Sequence, residues 1–590
     1  MFVPLHTFHI PVMGTSYTAD APARVAPYGI SSVISLVDDL LLEQFRKIYA
    51  DEFKLAYEPI HQKEPDGRAK RITAYLNTLA EVVKIRFDAI KKQPFFLKND
   101  KAKYFELLPT GHPLRVLYQK LMGMKDAPRN EREEIESTLT HGMVEGSIDV
   151  NIMVKLDRLP PNPNGKEPLS DEFTDAKTAL KGYAKSSLRN SAVVFSAGIN
   201  QSLYNYMAQF KEFYRNAAGE ISKKIIIKAS DFRSALIQGK YLARKGLEVS
   251  EYRIESGLNC GGHAFPSQGL LLPTILKEIH SQRGLLHQFK DNPPPKVTVQ
   301  GGIGNHAEDL RMREFYGMDG TGWGTPFLLV PEVSPVDKET LEQLKNASPK
   351  DLYMSDASPL DIYFNNLRGS GSEKWHRKQV ENGRPGSPCR KGFLQNNKEF
   401  SETPVCKASR FYQERKLKQI NESNASEEQK EQARKLLHAK QCICDHLGNS
   451  GLIFWNAETP ENAPQAICPG PNIAWFNRTY SLSEMADHIY GRIPDLTPKE
   501  RPHMFAKEVE MYGDWFALQV ERWDGDKDYA AWLRVAAKNF SESMDYCLEV
   551  AEMQEFPGEN LSSIPPRVKT ERERLTANLE MLEEKWKVFQ

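Results

Sequence analysis

Two glycine clusters and a set of cysteines are the parts of this sequence best suited to chemistry. Gln300-Gly301-Gly302-Ile303-Gly304-Asn305 follows a β-rich run directly. Three glycines there let the backbone come close to a ligand. The expected helix after them offers free N–H groups and the positive end of its dipole, which suits an anion. A second pair, in Gly322-Trp323-Gly324-Thr325, follows the next β-rich run. Either cluster alone would read as a tight turn. Two of them, about 20 residues apart with a helix between, predict a phosphate site of the kind formed after strands seven and eight of a barrel.

Five of the seven cysteines, Cys389, Cys406, Cys442, Cys444 and Cys468, fall in one stretch of the chain. Thiolates are soft ligands suited to iron–sulfur clusters and zinc. The spacings match neither a ferredoxin nor a zinc ribbon. Three readings stay open: a 4Fe–4S cluster, a structural zinc site, or unligated thiols. A four-ligand site would leave one cysteine over, with Cys468 and Cys389 the weakest members. His446, beside Cys444, reads as a surface histidine rather than a ligand.

The elements that must position these residues are read from the alternation of β-rich and helical runs over the first 335 or so residues, the signature of a parallel α/β fold. Strands are expected at 7–13, 31–37, 148–154, 192–197, 224–229, 248–255, 296–300 and near 318–322. Runs such as KKIIIKAS suit strands buried on both faces. Eight strands predict a (β/α)8 TIM barrel over 1–345. A helical insertion, about 41–145, follows strand two; leaving a strand's carboxyl end, it is expected to emerge on the catalytic face as a lid or pocket wall. Residues 346–500 form a cysteine-rich extension, which Trp455, Trp475 and Phe476 are expected to pack onto the barrel. Ser426 and Gln429 read as a capping box opening a helix through Leu437. Residues 501–590 are mostly helical. The last helix is expected after SSIPPRVK and, charged on most faces, to be solvated or to touch a partner.

The segment KVTVQGGIGNHAEDLRMREFYGMDGTGWGTPFLLVPE resembles the closing half-barrel of the nitronate monooxygenase (2-nitropropane dioxygenase-like) flavoproteins. Ile10-Pro11-Val12-Met13-Gly14 resembles that family's first strand, Val150-Asn151-Ile152-Met153-Val154 its third, and ESGLNCGGH, residues 255–263, its Glu-Ala-Gly-Gly-His motif. The resemblance covers about 6–335 apart from the insertion. It implies bound FMN, with Pro11, Val12, Met13 and Gly14 against the ring and Gly301, Gly302, Gly304, Gly322, Trp323, Gly324 and Thr325 around the phosphate. Gly261 and Gly262 would lie at the cofactor, with Asn151 and Gln300 beside it. The histidine after the paired glycines, His263, would move the proton, as a neutral imidazole can. Cys260 is a second catalytic candidate, read against the commoner fate of a small buried residue. Lys228 ends an apolar strand and needs an anionic partner if buried; reduced flavin is one. Lys155 is a weaker candidate of the same type. Pro326 stands where the family has arginine, and the cysteine-rich extension is not part of ordinary members.

Lys+Arg and Asp+Glu are both 78, so the net charge is zero. That gives no support to nucleic-acid binding. No run approaches the roughly 18 apolar residues of a membrane span. The start, MFVPLHTFHI, lacks a basic n-region, so a cytoplasmic protein is expected. The reading is an FMN-dependent oxidoreductase of a small organic substrate, with electrons from a nicotinamide or redox protein, possible relay through a C-terminal 4Fe–4S cluster, and an oligomeric state left open. The alternatives are an enoyl reductase of the polyunsaturated fatty acid synthase type and a non-catalytic flavin- or metal-binding scaffold that docks a partner.

Overall fold

In a computed structural model, residues 5–154, 156–162, 169–260 and 268–589 are described. Eight parallel strands close into a barrel: β1 (Phe8–Ile10), β2 (Ser31–Ser35), β3 (Ile148–Ile152), β4 (Ser191–Phe195), β5 (Lys223–Ala229), β6 (Val249–Glu255), β7 (Lys296–Gln300) and β8 (Gly320–Gly322). Each bonds to its successor, and β8 returns to β1 through Phe8 opposite Thr321. The (β/α)8 barrel expected from the sequence is therefore present, with several strands a few residues shorter than expected.

Alternation along β6 divides the barrel wall. Tyr252 turns outward, where its hydroxyl leaves room only for a glycine at Gly239 of the helix Phe232–Ala243. Glu251, Arg253 and Glu255 therefore point inward, because side chains on a strand alternate with period two. The interior has two characters. Val33, Ala192, Val194 and Ile226 form an apolar cluster, with Val12 packed against it. Opposite them, Glu251 pairs with Arg253 at 2.8 Å and accepts from Thr298 Oγ1 at 2.6 Å. His9 meets Gln300 Oε1 at 3.3 Å. Burial pushes the His9 imidazole down to about 3, so it is neutral there. Gly322 sits beside that pair; a Cβ on it would come within 2.6 Å of Gln300 Cβ and 2.8 Å of His9 Nε2.

The helical insertion does not wall the catalytic face. The helix Gly67–Lys92 has 26 residues, about 39 Å at 1.5 Å per residue. It begins at the carboxyl end of β2, where Arg68 donates to the Leu36 carbonyl at 3.0 Å and Arg71 pairs with Asp39 at 2.6 Å. It then runs the full height of the barrel. Phe87 and Ile90 near its end join Tyr104, Phe105, Tyr118, Leu121, Leu139 and Leu5 in a separate core. Tyr104 exchanges hydrogen bonds with the backbone of Val144, just ahead of β3. The inserted helices thus cover the amino-terminal end, and the reading of a lid or pocket wall is corrected.

The catalytic face is covered instead by the extension. Ser16, after β1, donates to the Leu447 carbonyl at 3.2 Å, and Trp455 Nε1 donates to Asp20 at 3.3 Å. Tyr480 N donates to the Leu329 carbonyl at 2.9 Å. Phe476 is buried edge-on to His488, and Trp475 is half-buried. The helix Glu427–Ala439 opens on the Ser426–Gln429 capping box. The last helix is Ile564–Phe589, starting earlier than expected because Pro565 and Pro566 occupy its first turn, where no N–H is needed. Its outer side is exposed, as expected, but one side is not. Ile564, Val568, Leu575 and Leu582 make a buried stripe against the helix Met504–Arg522 and its neighbours. One continuous core joins these helices to the barrel, for example Tyr316 against Phe505. No helix among the described residues is long and apolar enough to cross a membrane.

Candidate functional site

A polar cluster stands at the carboxyl end of the barrel. Glu255 ends β6, Lys228 lies one residue from the end of β5, and Gln300 ends β7, so the strand register brings them together. Glu255 Oε1 accepts from Lys228 Nζ at 3.1 Å, Gln300 Nε2 at 2.8 Å and Asn259 Nδ2 at 2.7 Å. Glu255 is the anionic partner that a lysine at the end of an apolar strand requires. Among the described residues its other oxygen, Oε2, is buried without a hydrogen-bond partner, as is Asn151 Oδ1 on β3. A buried unpaired acceptor costs about 1–3 kcal/mol. Two at one barrel mouth, beside a lysine, suit a ligand carrying both donors and partial negative charge.

The glycine loops adjoin this cluster. Gly301 and Gly302 have φ of 100° and 89°, conformations that favour glycine. A Cβ on Gly301 would lie 3.1 Å from the Asn259 backbone, so the loops after β6 and β7 are in close contact. Among the described residues, none accepts the backbone N–H of Gly301, Gly302, Ile303, Gly324 or Thr325. The Gly304 N–H is already used: it donates to Glu308 Oε2 at 2.8 Å. Asn305 caps the helix His306–Leu310 and Glu308 lies in its first turn.

Glu308 also binds Arg501 through two hydrogen bonds, 2.8 and 2.9 Å, with both side chains almost fully buried. Burial opposes the Glu308 charge, but Arg501 outweighs it and holds the carboxyl below its ordinary range. Arg501 donates to the Gly302 carbonyl at 3.0 Å, and Asn472 Nδ2 donates to the same carbonyl at 2.7 Å. The extension therefore fastens the first glycine loop from behind through its carbonyls. Gly470 presses on the second loop: a Cβ there would meet Thr325 Oγ1 at 2.5 Å.

The remaining sequence candidates divide. Pro11 and Met13 border Gly324, and Gly14 precedes the helix Thr15–Val25. Trp323 brings only its backbone to this face; its indole is buried, donates to Thr321 Oγ1 at 3.0 Å and meets His488 edge-on. Cys260 is buried and donates to the Cys468 carbonyl at 3.1 Å; burial pushes its thiol well above the ordinary range. That favours the small buried residue over a catalytic thiol. Gly261, Gly262, His263 and Lys155 lie outside the described residues. His446 is a correction: it is buried, with Nδ1 2.7 Å from Ser372 Oγ. Of the cysteines, Cys389, Cys406, Cys442 and Cys444 gather into one group beside the loop after β3, and Cys468 lies against Cys260.

The sequence reading did not single out Glu255, Asn259, Glu308, Asn472 or Arg501. Two signals pointed to some of them. Glu251, Arg253 and Glu255 are charges at alternate positions of a buried strand, and Asn305 with Glu308 has the spacing of a helix cap. Nothing local marked Asn472 or Arg501, whose partners on the glycine loop lie about 170 to 200 residues away.

No family model matches the chain. No curated protein matches it either. Among solved structures, a FabK mutant from Thermotoga maritima is similar at 13% identity and a TM-score of 0.30, over 67% of this chain and 86% of that one. The enoyl reductase domain of MlnA from the macrolactin cluster of Bacillus amyloliquefaciens is similar at 14% identity and a TM-score of 0.33, over 65% and 86%. A nitroalkane oxidase from Streptomyces ansochromogenes is similar at 10% identity and a TM-score of 0.35, over 83% and 95%. Likeness at this level is no basis for function, and the barrel stands on its own strand pairing.

Proposed function

We propose that the chain is an FMN-dependent oxidoreductase acting on a small organic substrate. The observation that carries this reading is the Lys228–Glu255–Gln300 cluster, with two acceptor oxygens unpartnered among the described residues, set beside glycine loops in which the N–H groups of Gly301, Gly302, Ile303, Gly324 and Thr325 meet no acceptor among those residues. The residues fit the cofactor. The N–H groups of Gly301, Gly302, Ile303, Gly324 and Thr325 would hold its phosphate. Backbone at Pro11–Gly14 would border its ring, and Asn151 and Gln300 would meet the polar edge of that ring.

Bound FMN supplies hydride or electron exchange with the substrate. Lys228 would offer the bound cofactor a positive charge, and Glu255 keeps that ammonium in place. Asn259 and Gln300 hold Glu255 in turn. His263 would move the substrate proton, a role resting on the sequence motif. A nicotinamide or a redox protein would return the electrons. Relay through an iron–sulfur centre depends on the cysteine group and is a separate question.

The test is chemical. The protein is purified and its bound small molecules released by denaturation and identified. One FMN per chain is expected, reduced by a nicotinamide or dithionite and reoxidised by an acceptor from a panel of nitroalkanes and enoyl thioesters. Bound FMN that no donor reduces would instead favour the scaffold.

A further inference from the structure

We propose that Cys389, Cys406, Cys442 and Cys444 form a four-thiolate site for a thiophilic metal centre on the catalytic face of the barrel. The proposal stands whether or not the barrel binds flavin.

Three segments distant in sequence bring the thiols together. Cys389 lies in a loop with φ of 52°, a left-handed conformation few non-glycine residues adopt. The Gly392 backbone hydrogen-bonds to its sulfur. Cys406 opens a tight turn in which Ser409 N donates to the Cys406 carbonyl at 2.9 Å and the Ala408 backbone hydrogen-bonds to the Cys406 sulfur. Cys442 is the N-cap of the 12-residue helix Ile443–Phe454, with the Ser387 side chain hydrogen-bonded to its sulfur, and Cys444 is in the first turn. The sulfurs pair as Cys389 with Cys406 and Cys442 with Cys444, and the two pairs are neighbours.

Buried cysteines often pack only as small apolar residues. Three features argue otherwise. The backbone of Gly392, the backbone of Ala408 and the Ser387 side chain each approach one of the sulfurs, although a neutral thiol is a weak acceptor that gains little from such neighbours. Two sulfurs stand at a helix N-terminus, where the dipole favours thiolate. The loops themselves are braced, with Ser387 N donating to the Ala408 carbonyl at 2.9 Å and Arg410 N to the Ser387 carbonyl at 2.8 Å. The local apolar cluster is small: Ala357, Leu394, Cys406, Ala408, Ile443 and Cys468, with Met153, Leu156, Leu360, Cys389, Cys444 and Leu447 at its edge. A loop-rich segment with so little core is the kind that a metal commonly holds together.

Among the described residues no three of the four sulfurs lie within 4.8 Å of one another; Cys442 Sγ has the ligand atoms of Asp445 and His446 that close. Both are engaged elsewhere. Asp445 pairs with Lys391 at 3.0 Å, and Lys391 pairs with Asp38 after β2 at 2.7 Å. His446 is bound to Ser372. The four cysteines remain as the donor set. Arg158, after β3, donates to the Gly392 carbonyl at 2.7 Å, so the group is tied directly to the barrel rim.

The experiment uses the full chain purified without air. Metals are measured by mass spectrometry, inorganic sulfide by acid release, and accessible thiols by titration. A stoichiometric zinc, or iron with matching sulfide, supports the site; the first identifies a single ion and the second a cluster. Cys442→Ala/Cys444→Ala should lose at least nine-tenths of that metal, while Cys547→Ala, in the remote helix Lys527–Ala551, should keep it. If the double variant fails to fold, cobalt(II) added to metal-stripped wild type gives a second readout, with sulfur-to-metal charge-transfer absorption scaled to four thiolates. Metal-free protein that takes up neither zinc nor cobalt overturns the proposal. So does peptide mapping that finds Cys389–Cys406 or Cys442–Cys444 as disulfides in the anaerobic protein.

Discussion

Replacing Arg501 by methionine should be among the most damaging single changes outside the barrel strands. Arg501 is almost fully buried, makes two hydrogen bonds to Glu308, and also bonds Asn472 Oδ1 and the Gly302 carbonyl. Methionine fills part of the space but leaves the Glu308 carboxylate buried without its counter-ion. The Gly304 and Met504 N–H groups still donate to it, at 2.8 Å each. Removing one partner of a buried ion pair costs about 3–5 kcal/mol, mostly from the charge left behind. Arg501→Met is therefore expected to lose about 3–5 kcal/mol in urea unfolding followed by circular dichroism. Glu308→Gln on the same background removes the stranded charge but keeps an acceptor for only one of the two N–H groups, which bond different carboxylate oxygens. The double variant should recover at least half of the loss. A single variant within about 1 kcal/mol of wild type would refute the reasoning, as would a double variant no more stable than the single one.

Three further outcomes are expected. Lys228→Met should leave FMN bound but weaken stabilisation of its reduced form, slowing reduction about 10- to 100-fold, the worth of one charged hydrogen bond; stopped-flow reduction measures it, and an unchanged rate would remove Lys228 from the site. Gly322→Ala should cost about 1–3 kcal/mol from overpacking against Gln300 and His9, and should lower FMN content; urea unfolding and flavin analysis check both. Burial pushes the Glu508 carboxyl from 4.5 up to about 7, so between those values the folded state holds a proton that the unfolded state releases. Stability should then fall as pH rises through that window, by about 3 kcal/mol in all, and level off above pH 7. Glu508→Gln should remove this slope, and a wild-type stability flat between pH 5 and about 7 at that residue's contribution, judged by an unchanged slope in the variant, would contradict it.

The barrel was legible because its physical signal is repeated. Most strands lie in β-rich runs followed by helical periodicity, so errors of a few residues at strand ends did not change the count. The glycine loops were legible because left-handed backbone and close approach at Gly301 and Gly302 demand that residue. The insertion was misread for a geometric reason: a strand's carboxyl end fixes where the chain leaves the barrel, but the 26-residue helix Gly67–Lys92 carries it to the opposite end. The last helix was misread because its charged residues mask a stripe of seven-residue spacing, Val568, Leu575 and Leu582. His446 read as exposed because its partner, Ser372, is far away in sequence. Arg501 and Asn472 were invisible for the same reason. Their function is to hold carbonyls of a loop that the chain laid down long before them, and no local pattern encodes that.

The central claim is that the glycine loops and the Lys228–Glu255 cluster hold FMN. The most direct measurement is the identity and stoichiometry of the flavin in purified full-length protein, with titration of FMN into flavin-stripped protein followed by fluorescence quenching. The account predicts one FMN per chain and saturable rebinding, weakened at least tenfold by Gly302→Val. Protein that carries no flavin and quenches neither FMN nor FAD fluorescence would contradict it.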